Sequence, residues 1–310
     1  MYEDNLMYKV TWYYYEENMT QQEIAEHLGI SRMKVVKILN QAKNDGVIKF
    51  KMDPEAKSNI ALERDVMKKF DLCDVFVVPS SPKDLNDTIA KAAAQYLEEK
   101  VTENTYINIG YGDTVSKTLN HLIYSLDKQI SLVTLSGGVS YYTSSIISGT
   151  KRRATSGITP NIHILPAPLL ASSEEVADII LKEKSIQNVF NMTQLSSMSL
   201  VGIGAVSDEA TIFKYGIANG EDLTLLKMQG AVGDILSQFY DKDGNILDTN
   251  FHKKLISIKL DHLKESNQTI GVAGGDDKVQ AIYSALVGKF VDILITDEDT
   301  ALSLMKFKNK

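Results

Sequence analysis

The chain has 310 residues, a formal net charge of −7, 44% hydrophobic and 24% charged residues, and one cysteine, Cys73. That length suits two domains with a sizeable core, and the acidic balance excludes a protein that coats nucleic acid by general positive charge, so any DNA contact must be local. A lone cysteine excludes an internal disulfide framework and fits a reducing cytoplasm; the acidic N-terminus predicts no secretory leader, and no apolar run approaches the roughly 20 residues of a membrane span.

Residues 6–17 (LMYKVTWYYYEE) read as a first helix that packs on two more, with some of its tyrosines at the edge; the alternative for the aromatic group Trp12, Tyr13, Tyr14 and Tyr15 is base stacking. The next stretch, MTQQEIAEHLGISRMKVVKILNQAKNDG (19–46), has the spacing of a helix-turn-helix. Thr20 with Glu23 makes a capping box ahead of the apolar residues Ile24, Ala25 and Leu28. Gly29 ends that helix, because glycine accepts the left-handed backbone a helix end needs. Ser31 caps a second helix, and Gly46 ends it. Second helices of this kind present their first residues to base edges in the major groove. The residues expected at DNA are therefore Thr20, Gln21, Ser31, Arg32, Met33, Lys34, Lys37 and, beyond the helix, Lys49. Charge supports this: residues 31–51 hold six basic residues (Arg32, Lys34, Lys37, Lys43, Lys49, Lys51) against Asp45, whereas residues 1–30 hold Lys9 against six acids. VIKFKM (47–52) alternates apolar and basic residues and predicts a short wing strand.

Pro54 marks the exit from this small domain, so 1–53 is expected to bind DNA and 54–73 to link. Within 56–70 the stripe Leu62, Val66, Phe70 predicts a helix that packs on its own domain or, preferably, serves a dimer. From residue 74 short apolar runs alternate with helical segments. Strands are predicted at 74–79, 105–110, 131–137, 161–168, 200–206, 269–275 and 291–297, and helices near 84–100, 114–126, 173–184, 208–215, 276–288 and 298–306. This is the signature of a parallel sheet covered on both faces. Segment 231–247 contains the turn signal DKDGN and predicts a hairpin or insertion.

In open α/β sheets ligands collect beyond the carboxyl ends of the strands. Three predicted strands end there in glycine: the first with Gly110, Gly112, Asp113 and Thr114, the second with Ser136, Gly137 and Gly138, the third with Gly274 and Gly275 before Lys278. Glycines let backbone amides approach an anion, and a helix N-terminus adds partial positive charge. Neither a dinucleotide fingerprint nor a Walker loop is present. The expectation is a small phosphorylated molecule, with Lys278 completing the phosphate site and Asp234 accepting from sugar hydroxyls. The five histidines are scattered without metal-ligand spacing, no GxSxG elbow occurs, and nothing demands an enzyme or a cofactor.

These stretches together resemble the SorC family of bacterial sugar-responsive transcription regulators over nearly the whole chain. The matching motifs, in order, are YYYEENMTQQEIAEHLGISRMKVVKILNQAKNDGVI, INIGYGDT, LVTLSGGV, ILPAPLLASS, VGIGAV, AVGDILSQFYDKDGNI and VAGGDDKVQAI followed by GKFVDILITDEDTA. The resemblance implies an α/β protein: a winged-type helix-turn-helix domain plus a Rossmann-like parallel-sheet effector domain (74–310) resembling the phosphosugar isomerases. It implies a repressor that binds operator DNA as a homo-oligomer, dimer or tetramer, and is controlled by a phosphorylated sugar or by phospho-autoinducer-2. Thr114, Gly137, Gly138, Asp234 and Lys278 fall on its effector motifs. Leu170 stands where some members carry arginine, and Ser136 stands where members that sense deoxyribose phosphate carry lysine, which argues against that ligand. The alternatives are an isomerase with a helical appendage and an activator responding to an unphosphorylated polyol.

Overall fold

A computed structural model describes residues 2–48, 54–81, 83–138, 158–214, 216–266 and 268–308. Contacts divide the chain into two units, 1–57 and 58–310. The first holds helices α1 (Tyr2–Tyr15), α2 (Gln21–Leu28) and α3 (Arg32–Asn44). Their core is Val10, Ile24, Ala25, Val35 and Leu39, with Tyr13, Tyr14 and Tyr15 packed against it, so the tyrosines belong to the helix packing. Thr20 accepts from the Glu23 amide while Glu23 accepts from the Thr20 amide, the reciprocal pair read from the sequence. Gly29 is left-handed at φ 63°, and Ser31 accepts from the Lys34 amide at 3.2 Å. Of the predicted wing strand only Val47 and Ile48 are described. They form a bend whose amides return to Ala42 O. Lys49 and the rest of that strand lie outside the described residues.

Helix α4 (Pro54–Phe70) contains the boundary between the units. Its stripe is occupied within its own unit: Val66 and Phe70 are buried and Leu62 packs beside them, against Val75, Val77, Leu294 and Leu304. The preferred expectation, a stripe serving a dimer, gives way to packing on the sheet edge.

The sheet comprises β1 (Asp74–Val78), β2 (Thr105–Ile109), β3 (Ile130–Thr134), β4 (Asn161–His163), β5 (Met198–Gly202), β9 (Gln268–Val272) and β10 (Ile293–Asp297), in the order β1-β10-β9-β5-β2-β3-β4 and parallel throughout. Side chains alternate between its faces. Ile293 and Ile295 join the layer with α5 (Leu85–Lys100) and α6 (Asp113–Ser125), whereas Leu294 joins the layer with α4 and the helices of the last 50 residues. β6 (Gly204–Ala205), β7 (Gly233–Ile235) and β8 (Gln238–Tyr240) form a small antiparallel sheet, so 231–247 is a hairpin.

The remaining helices among the described residues are α7 (Glu174–Lys182), α8 (Lys184–Thr193), α9 (Thr211–Lys214), α10 (Gly220–Met228), α11 (Asn250–Lys253), α12 (Leu260–Ser266), α13 (Val279–Val287), entered through a 3₁₀ turn at Asp276–Lys278, and α14 (Glu298–Lys306). α8, α10, α11 and α12 were not anticipated, and the helix expected at 208–215 is a single turn. The strand expected at 161–168 ends at His163, where Pro166 and Pro168, lacking N–H groups, could not extend a ladder. Among the described residues no helix is long and apolar enough to cross a membrane.

Candidate functional site

A cavity of about 520 Å³ opens at the carboxyl ends of β2, β5 and β9, three adjacent strands. Gly112, Asp113 and Thr114 line it from the loop after β2, Gly202 to Ala205 from the end of β5, Asp277 and Lys278 from the loop after β9, and Asp234 and Leu236 from the hairpin. Ser207, Glu209, Thr211 and Lys214 close another wall, and Asn86 reaches it from α5.

Helix α6 starts at this cavity. Its N-cap is Gly112, at φ 133°, and no side chain caps it. An uncapped N-terminus carries unsatisfied amides and partial positive charge, which suits an anion. Lys278 lines the same space from the start of α13. Asp113 sits at the rim. Burial pushes its pKa up, but hydrogen bonds from Lys117 (2.7 Å) and Asn86 (2.8 Å), with the Lys278 charge, outweigh that and hold it below the usual carboxylate range.

Asp234 is held more elaborately. Its Oδ2 accepts from the Ser237 amide at 3.1 Å. Burial pushes its pKa up to about 6, against the opposing effects of that amide and of Lys278. The turn beyond it, between Ile235 and Gln238, has Leu236 at φ 55° and Ser237 at φ 59°. Two left-handed residues are what a tight hairpin turn of this length requires, and asparagine–glycine is the usual solution. Here two ordinary side chains accept the strain, about 1–2 kcal/mol each. The Ser237 hydroxyl is hydrogen-bonded to the Tyr111 hydroxyl, which ties the turn to the loop after β2.

The cavity therefore brings together Gly112, Asp113, Thr114, Asp234 and Lys278 of the expected effector residues. The others are placed elsewhere. The Gly137 and Gly138 amides donate to Ile256 O and Ala167 O, and a Cβ on Gly137 would lie 2.1 Å from Pro168 O. Their glycines serve close backbone approach. Ser136 is buried beside Ser257, and Leu170 bridges to Leu255 in an apolar cluster that includes the cavity-lining Tyr111 and Ile212, without itself lining the cavity. Gly274 packs against Asp297, and the Gly275 amide donates to Thr300 Oγ1 at 2.8 Å, so this loop supports Lys278 from behind. The third glycine-bearing strand end at the cavity is that of β5 rather than β3. Asn86, Ser207 and Thr211 were missed, since only tertiary packing brings them in. Among the described residues no group of three or more His, Cys, Asp or Glu could hold a metal ion.

On the helical unit, Thr20, Gln21 and Arg32 line one depression of about 610 Å³ with Tyr14, Tyr15 and Gln22. Met33 is 76% exposed, and Ser31, Lys34 and Lys37 are exposed beside it. The outward start of α3 is thus polar, basic and accessible.

Residues 55–306 match the Sugar-bind family model, a sugar-binding domain, and residues 10–44 match Sigma-70, region 4. The chain is 35% identical to the transcriptional regulator LsrR of Klebsiella pneumoniae over 98% of its own length and 93% of that protein's. It is also 35% identical to LsrR of Escherichia coli O139:H28, covering 99% of this chain and 96% of that one. Among solved structures, full-length SorC, the sorbitol operon regulator of Klebsiella pneumoniae, superposes with a TM-score of 0.70 at 25% identity, covering 97% and 98% of the two chains. A transcriptional regulator from Streptococcus pneumoniae gives 0.70 at 26% identity over 81% of this chain and 98% of that one. The chain belongs to the SorC family of sugar-binding transcriptional regulators and is a DNA-binding regulator.

Proposed function

We propose that this regulator is a repressor whose operator binding is relieved by a phosphorylated sugar or sugar-like signal such as phospho-autoinducer-2. Residues 1–53 bind DNA, 54–73 link, and 74–310 bind the effector and assemble the chain as a dimer or tetramer. No cofactor takes part. The observation that carries the reading is the two-poled cavity. One pole is cationic, from Lys278 and the uncapped start of α6, and suits a phosphate. The other is Asp234, an acceptor for hydroxyl groups. A phosphosugar carries both complements on one small body. Arg32 and the exposed side chains after it supply the operator contact, phosphate and base edge alike.

Thermal unfolding against a panel tests the reading: phospho-autoinducer-2, fructose phosphates, ribose 5-phosphate and deoxyribose 5-phosphate, each beside its unphosphorylated form. A ligand at 100 times its dissociation constant stabilises the native state by about 2.7 kcal/mol. The expected result is a melting shift from a phosphorylated compound alone, lost in Lys278→Ala while operator binding persists. Arg32→Ala should do the reverse, keeping the shift and losing operator affinity. A shift from a free polyol and none from any phosphate overturns the phosphate pole.

A further inference from the structure

Helix α14 joins the floor of the effector cavity to the helix that leaves the DNA-binding unit. At its N-terminus Asp297 is the cap, buried, accepting from the Thr300 amide at 3.3 Å and from Thr300 Oγ1 at 2.5 Å. The same Thr300 oxygen accepts the Gly275 amide at 2.8 Å. Gly275 opens the turn Asp276–Lys278, and Asp277 and Lys278 line the cavity. Gly274 leaves no slack in this joint, since a Cβ there would lie 2.3 Å from Asp297 Oδ1. The loop that carries Lys278 and the start of α14 must therefore move together.

At the other end of α14, Lys69 Nζ donates to Leu304 O at 2.8 Å and to Met305 O at 3.1 Å. These are carbonyls of the last turn, where a cation also meets the negative end of the helix dipole. Lys69 lies on α4, the helix whose first residues belong to the DNA-binding unit. Its ammonium stands 5.2 Å from the Phe70 ring centroid and 5.5 Å from that of Tyr283, and Tyr283 packs on Phe70 and Phe307. Both joints lie on a helix of 9 residues, with Thr300 and Leu304 about 6 Å apart along its axis.

We propose that α14 transmits effector binding to α4, with Thr300 and Lys69 as the positioning residues at its two ends. An anion drawn to Lys278 pulls on the turn that Thr300 holds; α14 shifts as a body, and the Lys69 clamp carries the shift to α4. A ligand moves an equilibrium only through differential affinity for its two states, and the clamp is what makes the state of α4 depend on the loop. This inference rests on the effector reading above, and its test separates the two.

Operator affinity is measured by fluorescence anisotropy on a duplex selected by the wild-type chain from a random library. It is measured with and without the panel compound that shifts wild-type melting. The coupling is expected within about 5- to 150-fold. Lys69→Met keeps the aliphatic stem and removes the clamp. It should bind duplex alone and compound alone as wild type does, while the drop in operator affinity on adding compound largely disappears. Thr300→Val should weaken both compound binding and coupling, and Thr300→Ser, which keeps the hydroxyl, should restore them; this arm decides if Lys69→Met folds poorly. A wild-type drop in Lys69→Met, or in Thr300→Val once compound is saturating, overturns the relay and leaves the effector reading standing. If no panel compound lowers wild-type operator affinity, both are overturned.

Discussion

Gly204 and Asp234 share one volume. They are directly paired across β6 and β7, and a Cβ built on Gly204 would lie 2.2 Å from Asp234 Oδ1. The carboxylate fits only because its ladder partner has no side chain. It cannot simply swing aside, because its other oxygen holds the Ser237 amide. Gly204→Ala should therefore displace the carboxylate from the cavity. The expected outcome is loss of the phosphosugar-dependent melting shift, with the unliganded protein destabilised by about 1–3 kcal/mol. Melting curves with and without compound check both parts.

Gly137 predicts the opposite pattern. Its missing Cβ would lie 2.1 Å from Pro168 O and 2.8 Å from Ala167 O, which are backbone atoms that cannot rotate away. Its own amide is committed to Ile256 O at 2.8 Å. Gly137→Ala should cost about 3 kcal/mol or more, the upper end for overpacking. Whatever protein remains folded should still answer the effector. Denaturant titration for stability, with effector binding measured on the folded fraction, separates this from an effector-site defect.

That contrast marks what the sequence could convey. The caps Thr20, Glu23, Gly29 and Ser31 were legible because capping depends on residues three or four apart. The parallel strands were legible from their continuous apolar runs. Lys278 and the start of α6 were legible because strand ends gather ligand residues, whereas Asp234, on the hairpin, was singled out only as the carboxylate after Gly233. Whether a glycine at a strand end faces a ligand or admits neighbouring backbone was not, since Gly137 and Gly112 look alike until Pro168 is in place. Sheet order was equally hidden: β1 pairs with β10, more than 200 residues away in the chain. α10 did carry a signal, the capping box of Asn219 and Asp222, whose aspartate replaces the usual glutamate.

Asp234 should make effector binding pH-dependent. Its carboxyl titrates near 6 in the folded protein, against an ordinary 3.8. The ionised form is the better acceptor for hydroxyls, so affinity should fall as pH drops through about 6. Stability moves the other way. Between the two values the native state binds more protons than the unfolded chain, so stability falls as pH rises from about 4 to about 6, by at most about 3 kcal/mol. Asp234→Asn should flatten both profiles. Isothermal titration and melting curves across that range provide the check, and an unchanged affinity profile in the variant would remove Asp234 from the hydroxyl pole.

His252 opposes Asp234 in the same window. Its Nε2 accepts the Phe239 amide at 2.8 Å, and its Nδ1–H donates to Leu247 O at 2.8 Å. Phe239 and Leu247 also bond directly through the Leu247 amide, so the imidazole is a spacer filling the other half of an antiparallel pair. The ring stacks on Phe239, whose ladder partner is Asp234. This geometry needs the neutral ring, because a second proton would turn Nε2 from acceptor to donor against an N–H. Burial lowers its pKa from 6.5, more than the Leu247 carbonyl and the Asp248 charge raise it. As pH falls below about 6.5 the unfolded chain takes up the proton first, so stability declines with acidification. His252→Ala should cost about 1–3 kcal/mol near neutral pH, from the buried amide and carbonyl left unpaired, and should remove this part of the acid sensitivity. Combined with Asp234→Asn, which silences the opposing slope, melting curves at about pH 7.5 and about pH 5.5 should differ less than in Asp234→Asn alone. An undiminished acid shift in the double variant would mean that another group drives it.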